Sequence, residues 1–137
     1  MASELRVVVD TGVVISAMLL PRSVPRQAFD GALQRGKLLI SVATVEELNE
    51  VIRRPCFDRY VQENHRLEFL AGMIREAELV QVRDVVSECR DPRDDKFLEL
   101  ALSGKAACII SGDQDLLVLK PFHGIPVVTP KGFLDWR

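Results

Sequence analysis

Short apolar runs alternate along the chain with stretches of helical spacing, and this alternation limits the fold more than any other feature. The runs "RVVV" (6–9), "KLLIS" (37–41), "ELVQV" (78–82), "ACIIS" (107–111) and "PVVT" (126–129) have the length and the Val/Ile content of strands. Between them the spacing predicts helices over 24–33, 45–52, 67–77 and 97–102. In the third of these, Leu67, Leu70, Ala71, Ile74 and Ala77 fall on one face. An order of strand, helix, strand, helix implies a mainly parallel sheet covered on both sides. At least two of the runs read as buried on both faces. No repeat, linker or low-complexity segment breaks the pattern, so residues 1–137 are expected to form a single α/β domain.

In open parallel sheets, ligands collect beyond the carboxyl ends of the strands, so the residues that follow each run matter most. Asp10 closes "LRVVVDTGVV", where a charge is costly unless it is paired, caps backbone or faces a site. Glu46 and Glu47 follow the second run in "VATVEEL". Asp91, Asp94 and Asp95 precede the fourth helix in "CRDPRDDKF", and Asp113 and Asp115 follow "ACIIS" in "GDQDLL". Taken singly, most of these acids have a structural explanation. Thr44 and Glu47 read as a capping box, with Thr44 as the N-cap. Asp94 reads as the cap of the helix after it, and Asp113 as the cap of the turn "QDLL". Asp10, followed by Thr11 and Gly12, has no helix to cap.

Helix geometry chooses within the pairs. Glu47 lies one turn before Val51 and borders the core face, while Glu46 points about 100° away. Asp94 precedes Phe97, Leu98 and Ala101 at inward spacings, which leaves Asp95 rotated outward. Capping does not explain why four segments bring acids to one sheet edge with no Lys or Arg at the strand ends. Hard oxygen donors gathered in this way suit Mg²⁺ or Mn²⁺.

Composition removes other classes. Lys and Arg number 18 against 20 Asp and Glu, and the net charge of −2 gives no global pull toward nucleic acid, though local basic surface remains open. Cys56, Cys89 and Cys108 form no CxxC, and with His65 and His123 as the only histidines a zinc site is not expected. Free thiols fit a reducing cytosol. The first residues lack the pattern of a leader, and no apolar run approaches the roughly 20 residues of a membrane span, so a cytoplasmic protein with no membrane role is expected. GxSxG, HExxH and GxxxxGK[ST] are absent. A phosphatase of the DxDxT type is excluded by Gly12. A receiver domain is excluded because Lys120 follows Asp113 too closely for the intervening elements.

The segments "VVVDTGVVISA", "SVATVEELNEVIRRP", "DPRDDKFLELA" and "IISGDQDLL" resemble the motifs of the PIN-domain ribonuclease family, in its order and spacing, over nearly the whole chain. They resemble in particular the branch of toxins from toxin–antitoxin pairs. The resemblance implies a three-layer α/β/α sandwich and an endoribonuclease dependent on Mg²⁺ or Mn²⁺. It implies Asp10, Glu47, Asp94 and Asp113 as metal-holding catalytic acids, with Ser111, Asp91, Asp115 and Thr11 in support. One or two divalent ions, about 3.5–4 Å apart if two, would neutralise the acids and clamp the scissile phosphate. Arg22, Arg26, Arg53, Arg54, Arg93 and Lys96 are candidates for backbone phosphate contacts. The implied partners are an RNA substrate and an antitoxin protein with an Arg that reaches the carboxylates.

Gly12 departs from the family, which usually has Asn there. Met18, Leu19 and Leu20 read equally as core or as a homodimer surface, and Phe133 and Trp136 as packing for the last segment. The competing reading is a PIN-like module that binds RNA or a protein without cutting.

Overall fold

The computed structural model describes residues 5–87, 89, 91–119 and 121–136; Lys120 lies outside them. Strands β1 (Leu5–Val9), β2 (Gly36–Ile40), β3 (Glu78–Leu79), β4 (Cys108–Ile110) and β5 (Val127–Val128) form one sheet in the order β3-β2-β1-β4-β5. Every pairing is parallel. Val7 sits opposite Leu38 on one side and Cys108 on the other. All five strands stand within a residue of where the apolar runs placed their starts, and the three later ones are shorter than those runs.

Around the sheet lie α1 (Thr11–Leu19), α2 (Val24–Arg35), α3 (Val42–Ile52), α4 (Glu63–Glu76), α5 (Asp95–Ser103), α6 (Gln114–Leu117) and α7 (Pro130–Asp135). Side chains of a strand alternate between faces, and β1 shows it. Val7 and Val9 join the cluster under α1 to α4 and α7, while Val8 joins the one under α5 and α6. The domain is therefore a three-layer α/β/α sandwich in which Val7–Val9, Leu38–Ile40 and Cys108–Ile110 are buried between the layers. Among the described residues, no helix is long and apolar enough to cross a membrane.

Helix α1 was not expected. It buries Val13, Val14, Ile15, Ala17 and Met18, so its sequence is apolar nearly all round and carries no one-sided spacing. Helix α7 was hidden by its shortness; Thr129 caps it and Pro130 opens it. Phe133 is fully buried and Trp136 packs against the same cluster, as the sequence suggested. Met18 is core and Leu19 packs against it, while Leu20 is exposed.

The start of α3 differs from expectation in a way that matters. Its N-cap is Ser41, whose hydroxyl accepts from the Thr44 N–H, and the Thr44 hydroxyl accepts from the Ser41 N–H. The capping box is thus Ser41–Thr44, immediately after β2, and Glu47 has no capping duty. At the other end of β2, the backbone of Gly36 lies so close to β1 that a Cβ would stand 1.9 Å from the Leu5 carbonyl oxygen. Arg6 reaches past β2 to the edge strand, donating to both oxygens of Glu78 at 2.9 and 2.7 Å and to the Gly104 carbonyl at 2.7 Å.

Arg66 of α4 is fully buried. It donates to the Ile52 carbonyl at 2.7 Å, to the Val61 carbonyl and to Asp58 at 3.0 Å, so it closes the end of α3 and the loop behind it.

Candidate active site

The sheet order places β1 beside β4, with chain order running outward on either side of this pair. Such a switch point opens a crevice at the carboxyl ends of the strands. Asp10 and Ser111 stand there, joined by the Asp10 N–H donating to the Ile110 carbonyl at 3.1 Å. Contrary to the sequence reading, Asp10 does cap a helix: its Oδ1 accepts from the Val13 N–H of α1 at 2.8 Å. Its Oδ2 accepts from the Ser111 hydroxyl. Burial raises the Asp10 pKa, the two hydrogen bonds oppose that, and the charges of Asp113 and Glu47 add to it. Ser111 Oγ also accepts from the Asp113 N–H at 2.9 Å. Asp113 in turn caps α6, accepting from the Asp115 N–H at 2.9 Å, as the sequence suggested.

A single 3-10 turn, Pro92–Asp94, delivers Asp94 to the same crevice. Carboxylate oxygens of Asp94, Asp113 and Asp115 lie within 4.8 Å of one another. Among the described residues, no hydrogen bond reaches the Asp94 carboxylate, so it occupies the N-cap position of α5 without capping it. Its pKa is pushed up to about 6, first by burial and then by the charges of Asp113, Asp91, Asp115 and Glu47.

Asp91 accepts from the Arg93 N–H at 3.0 Å and from its guanidinium at 2.8 Å, and these bonds hold its pKa below the usual range. Asp95, expected to point outward, is buried; its carboxylate accepts from the Cys89 N–H at 2.9 Å, because the segment before the turn folds back over α5.

Glu47 completes the cluster from α3. Its Oε2 accepts from the Thr11 hydroxyl and its Oε1 from Lys96 Nζ at 2.7 Å. The acids are therefore not free of cations, as the strand ends alone had suggested. A cleft of about 420 Å³ is lined by Asp10, Thr11, Gly12, Glu47, Asp94 and Asp113, with Ser16, Pro25 and Pro130 among its walls. The donors that converge are carboxylate and hydroxyl oxygens. The neighbouring Cys89 thiol is pushed up to about 12 by burial and by Asp95, which disfavours its thiolate form. This donor set fits a hard divalent ion.

The family model for the PIN domain matches residues 6–115. The chain belongs to the PIN-domain family. The match ends at Asp115 and so takes in every acid just described. PIN domains are nucleases and generally use divalent metal ions. The chain is also similar to the uncharacterized protein MJ1680 of Methanocaldococcus jannaschii, 29% identical over 143 residues that span 96% of this chain and 91% of that protein. Its fold is that of PAE2754 from Pyrobaculum aerophilum (TM-score 0.64, 12% identity, 96% of this chain and 88% of that one). It is likewise that of VapBC2 from Rickettsia felis, solved with a promoter DNA fragment (TM-score 0.62, 10% identity, 91% and 98%). DNA-bound VapBC from Salmonella typhimurium shares it too (TM-score 0.57, 17% identity, 92% and 98%).

In this PIN domain, Asp10, Glu47, Asp94 and Asp113 line one cleft, and Thr11 and Ser111 bond to two of them. Asp115 lies nearer the centre than its supporting rank implied, and Asp91 is occupied with Arg93. Of the basic candidates, Arg26 pairs with Asp30, Arg53 with Asn49 and Arg54 with Glu50, and Arg22 is exposed beyond α1. Lys96 alone of the six is hydrogen-bonded to one of the four acids among the described residues. The sequence offered it as a candidate phosphate contact and gave no sign of its bond to Glu47, 49 positions away.

Proposed function

We propose that this PIN domain is a metal-dependent endoribonuclease and the toxin component of a toxin–antitoxin pair, with Asp10, Glu47, Asp94 and Asp113 holding Mg²⁺ or Mn²⁺ and Asp115 close by. The observation that carries the reading is the packing of Asp94, Asp113 and Asp115 within 4.8 Å at the switch point, where Asp94 has no hydrogen-bond donor among the described residues. Like charges held this close raise the affinity of the place they share for a cation. A divalent ion held there would offset the carboxylate charge, draw in a backbone phosphate and activate water for attack on phosphorus.

The chain's own groups prepare that arrangement. Ser111 and the Val13 N–H fix both oxygens of Asp10, the Thr11 hydroxyl orients Glu47, and the Asp115 N–H fixes Asp113. The motif resemblance supports the toxin half of the reading and the antitoxin partner; the VapBC neighbours add a shared fold.

Position 12 gives a direct test of the family comparison. A Cβ on Gly12 would meet only Asp10 Oδ1, at an ordinary 3.8 Å, so the backbone does not require glycine there. Gly12→Asn should fold normally and raise cleavage at limiting Mn²⁺, by roughly threefold or more if the amide gains one hydrogen bond at the site. The main experiment is digestion of a mixed RNA pool with Mn²⁺ or with chelator, using the wild type and Asp113→Asn. Cleavage that needs both the ion and Asp113 supports the reading. Cleavage in chelator, or by Asp113→Asn, sinks the metal site. RNA retention without cleavage supports the binding-module alternative. Growth arrest on expression, relieved by Asp113→Asn, checks the toxin role.

A further inference from the structure

Of Asp10, Glu47, Asp94 and Asp113, only Glu47 is paired with a cation among the described residues. Its two oxygens are both engaged, one by the Thr11 hydroxyl and one by Lys96 Nζ at 2.7 Å. The pair is mostly shielded, with side-chain exposures of 22% for Glu47 and 21% for Lys96. Lys96 leaves the first turn of α5 directly after Asp95, whose buried carboxylate is fixed on the Cys89 N–H. The ammonium is therefore delivered by a braced turn, not by a loose surface side chain. An ammonium and a divalent ion seek the same carboxylate charge, and each lowers the benefit of the other.

We propose that Lys96 competes with the divalent ion for Glu47 and thereby sets the metal affinity of the cleft. The inference rests on the reading of the cleft as a metal site. Lys96 is a positioning residue that acts through Glu47. In the ion-free protein it offsets part of the repulsion among the acids. Ion binding at Glu47 displaces the ammonium, and the work of doing so weakens the apparent affinity.

The test is calorimetric titration of Mn²⁺ into the purified protein without RNA. Lys96→Met should lower the Mn²⁺ Kd by about three- to tenfold, the scale of a partly shielded ion pair. Glu47→Gln should weaken binding. In the Glu47→Gln background, Lys96→Met should change the Kd by less than about twofold, because the competition has gone. Melting curves give a second readout. Lys96→Met should melt lower than the wild type without ions and rise more on adding Mn²⁺. Lys96→Gln should behave in the same way if the methionine variant folds poorly.

An unchanged or weaker Mn²⁺ affinity in Lys96→Met and Lys96→Gln would overturn the proposal. Equal tightening with and without Glu47 would also overturn it, since that outcome means a diffuse charge effect. A wild type that binds no Mn²⁺ removes the metal-site reading itself, and so separates the failure of that reading from the failure of this one.

Discussion

Asp10 serves two purposes that usually exclude each other, because its two oxygens face different ways. One closes the N-terminus of α1 and the other takes the Ser111 hydroxyl beside the acidic cleft. Asparagine caps helices about as well as aspartate. Asp10→Asn should therefore shift thermal stability little in the ion-free protein while cleavage is lost. Asp10→Ala loses the cap and leaves Ser111 without that partner, and should be destabilised by about 1–3 kcal/mol in denaturant titration. Equal melting of the two variants would mean that the cap contributes nothing. The sequence marked Asp10 correctly as a strand-end acid but set capping against site, a choice that the residue does not have to make. It could not separate these roles because the helix being capped carried no helical pattern.

Asp94 gives a second test, through pH. Its pKa in the fold is about 6, above its ordinary value of 3.8. Below the lower value both folded and unfolded chains hold the proton, and stability is unaffected. Between the two values only the folded chain holds it, so stability is lost as pH rises through about 6. The ion-free protein should melt higher at pH 5 than at pH 7.5, with Asp94 contributing on the order of 1 kcal/mol after solvent screening. Asp94→Asn should flatten that slope, and Mn²⁺ should restore stability at pH 7.5. A slope unchanged in Asp94→Asn would assign it elsewhere.

At the level of elements, Arg66 is the test of how α3 is held. Its guanidinium is fully buried and bonds to the Ile52 and Val61 carbonyls and to Asp58. Arg66→Met keeps most of the volume but strands those acceptors, and should cost about 3 kcal/mol or more in urea unfolding. Because Glu47 sits on the same helix, a loosened α3 should also weaken Mn²⁺ binding, which titration would show. Elements were legible where they bury one face. Helices α2 and α5 came within two residues of their places from apolar spacing alone, while α4 begins four residues before the first apolar position that marked it, Leu67. Helix α3 was placed three residues late, since "SVAT" and "TVEE" both offer a hydroxyl cap and only the position of β2 decides between them. That shift freed Glu47 from capping, which strengthens its case as a site residue. Helix α1 escaped because β-branched residues buried on all sides look like strand.

At the level of the whole molecule, the α/β/α layering was readable because parallel strands covered by helices on both faces must be apolar throughout. What could not be read was which side chains pair: Lys96 with Glu47 across 49 positions, and Asp95 with the Cys89 N–H in the fold-back before α5. The central pair of strands has one more consequence. β1 is made first, yet its neighbour β4 and the Ser111 that grips Asp10 arrive 101 positions later. A nascent chain that has emerged only as far as α5 carries an open β1 edge and lacks Ser111, Asp113 and Asp115 altogether. For an enzyme proposed to cut RNA, this delay means that the message being translated meets no finished blade until β4 and Ser111 have followed β1 out of the ribosome. A chain released early, before Ile110, would hold no complete acidic cleft whatever ions surround it.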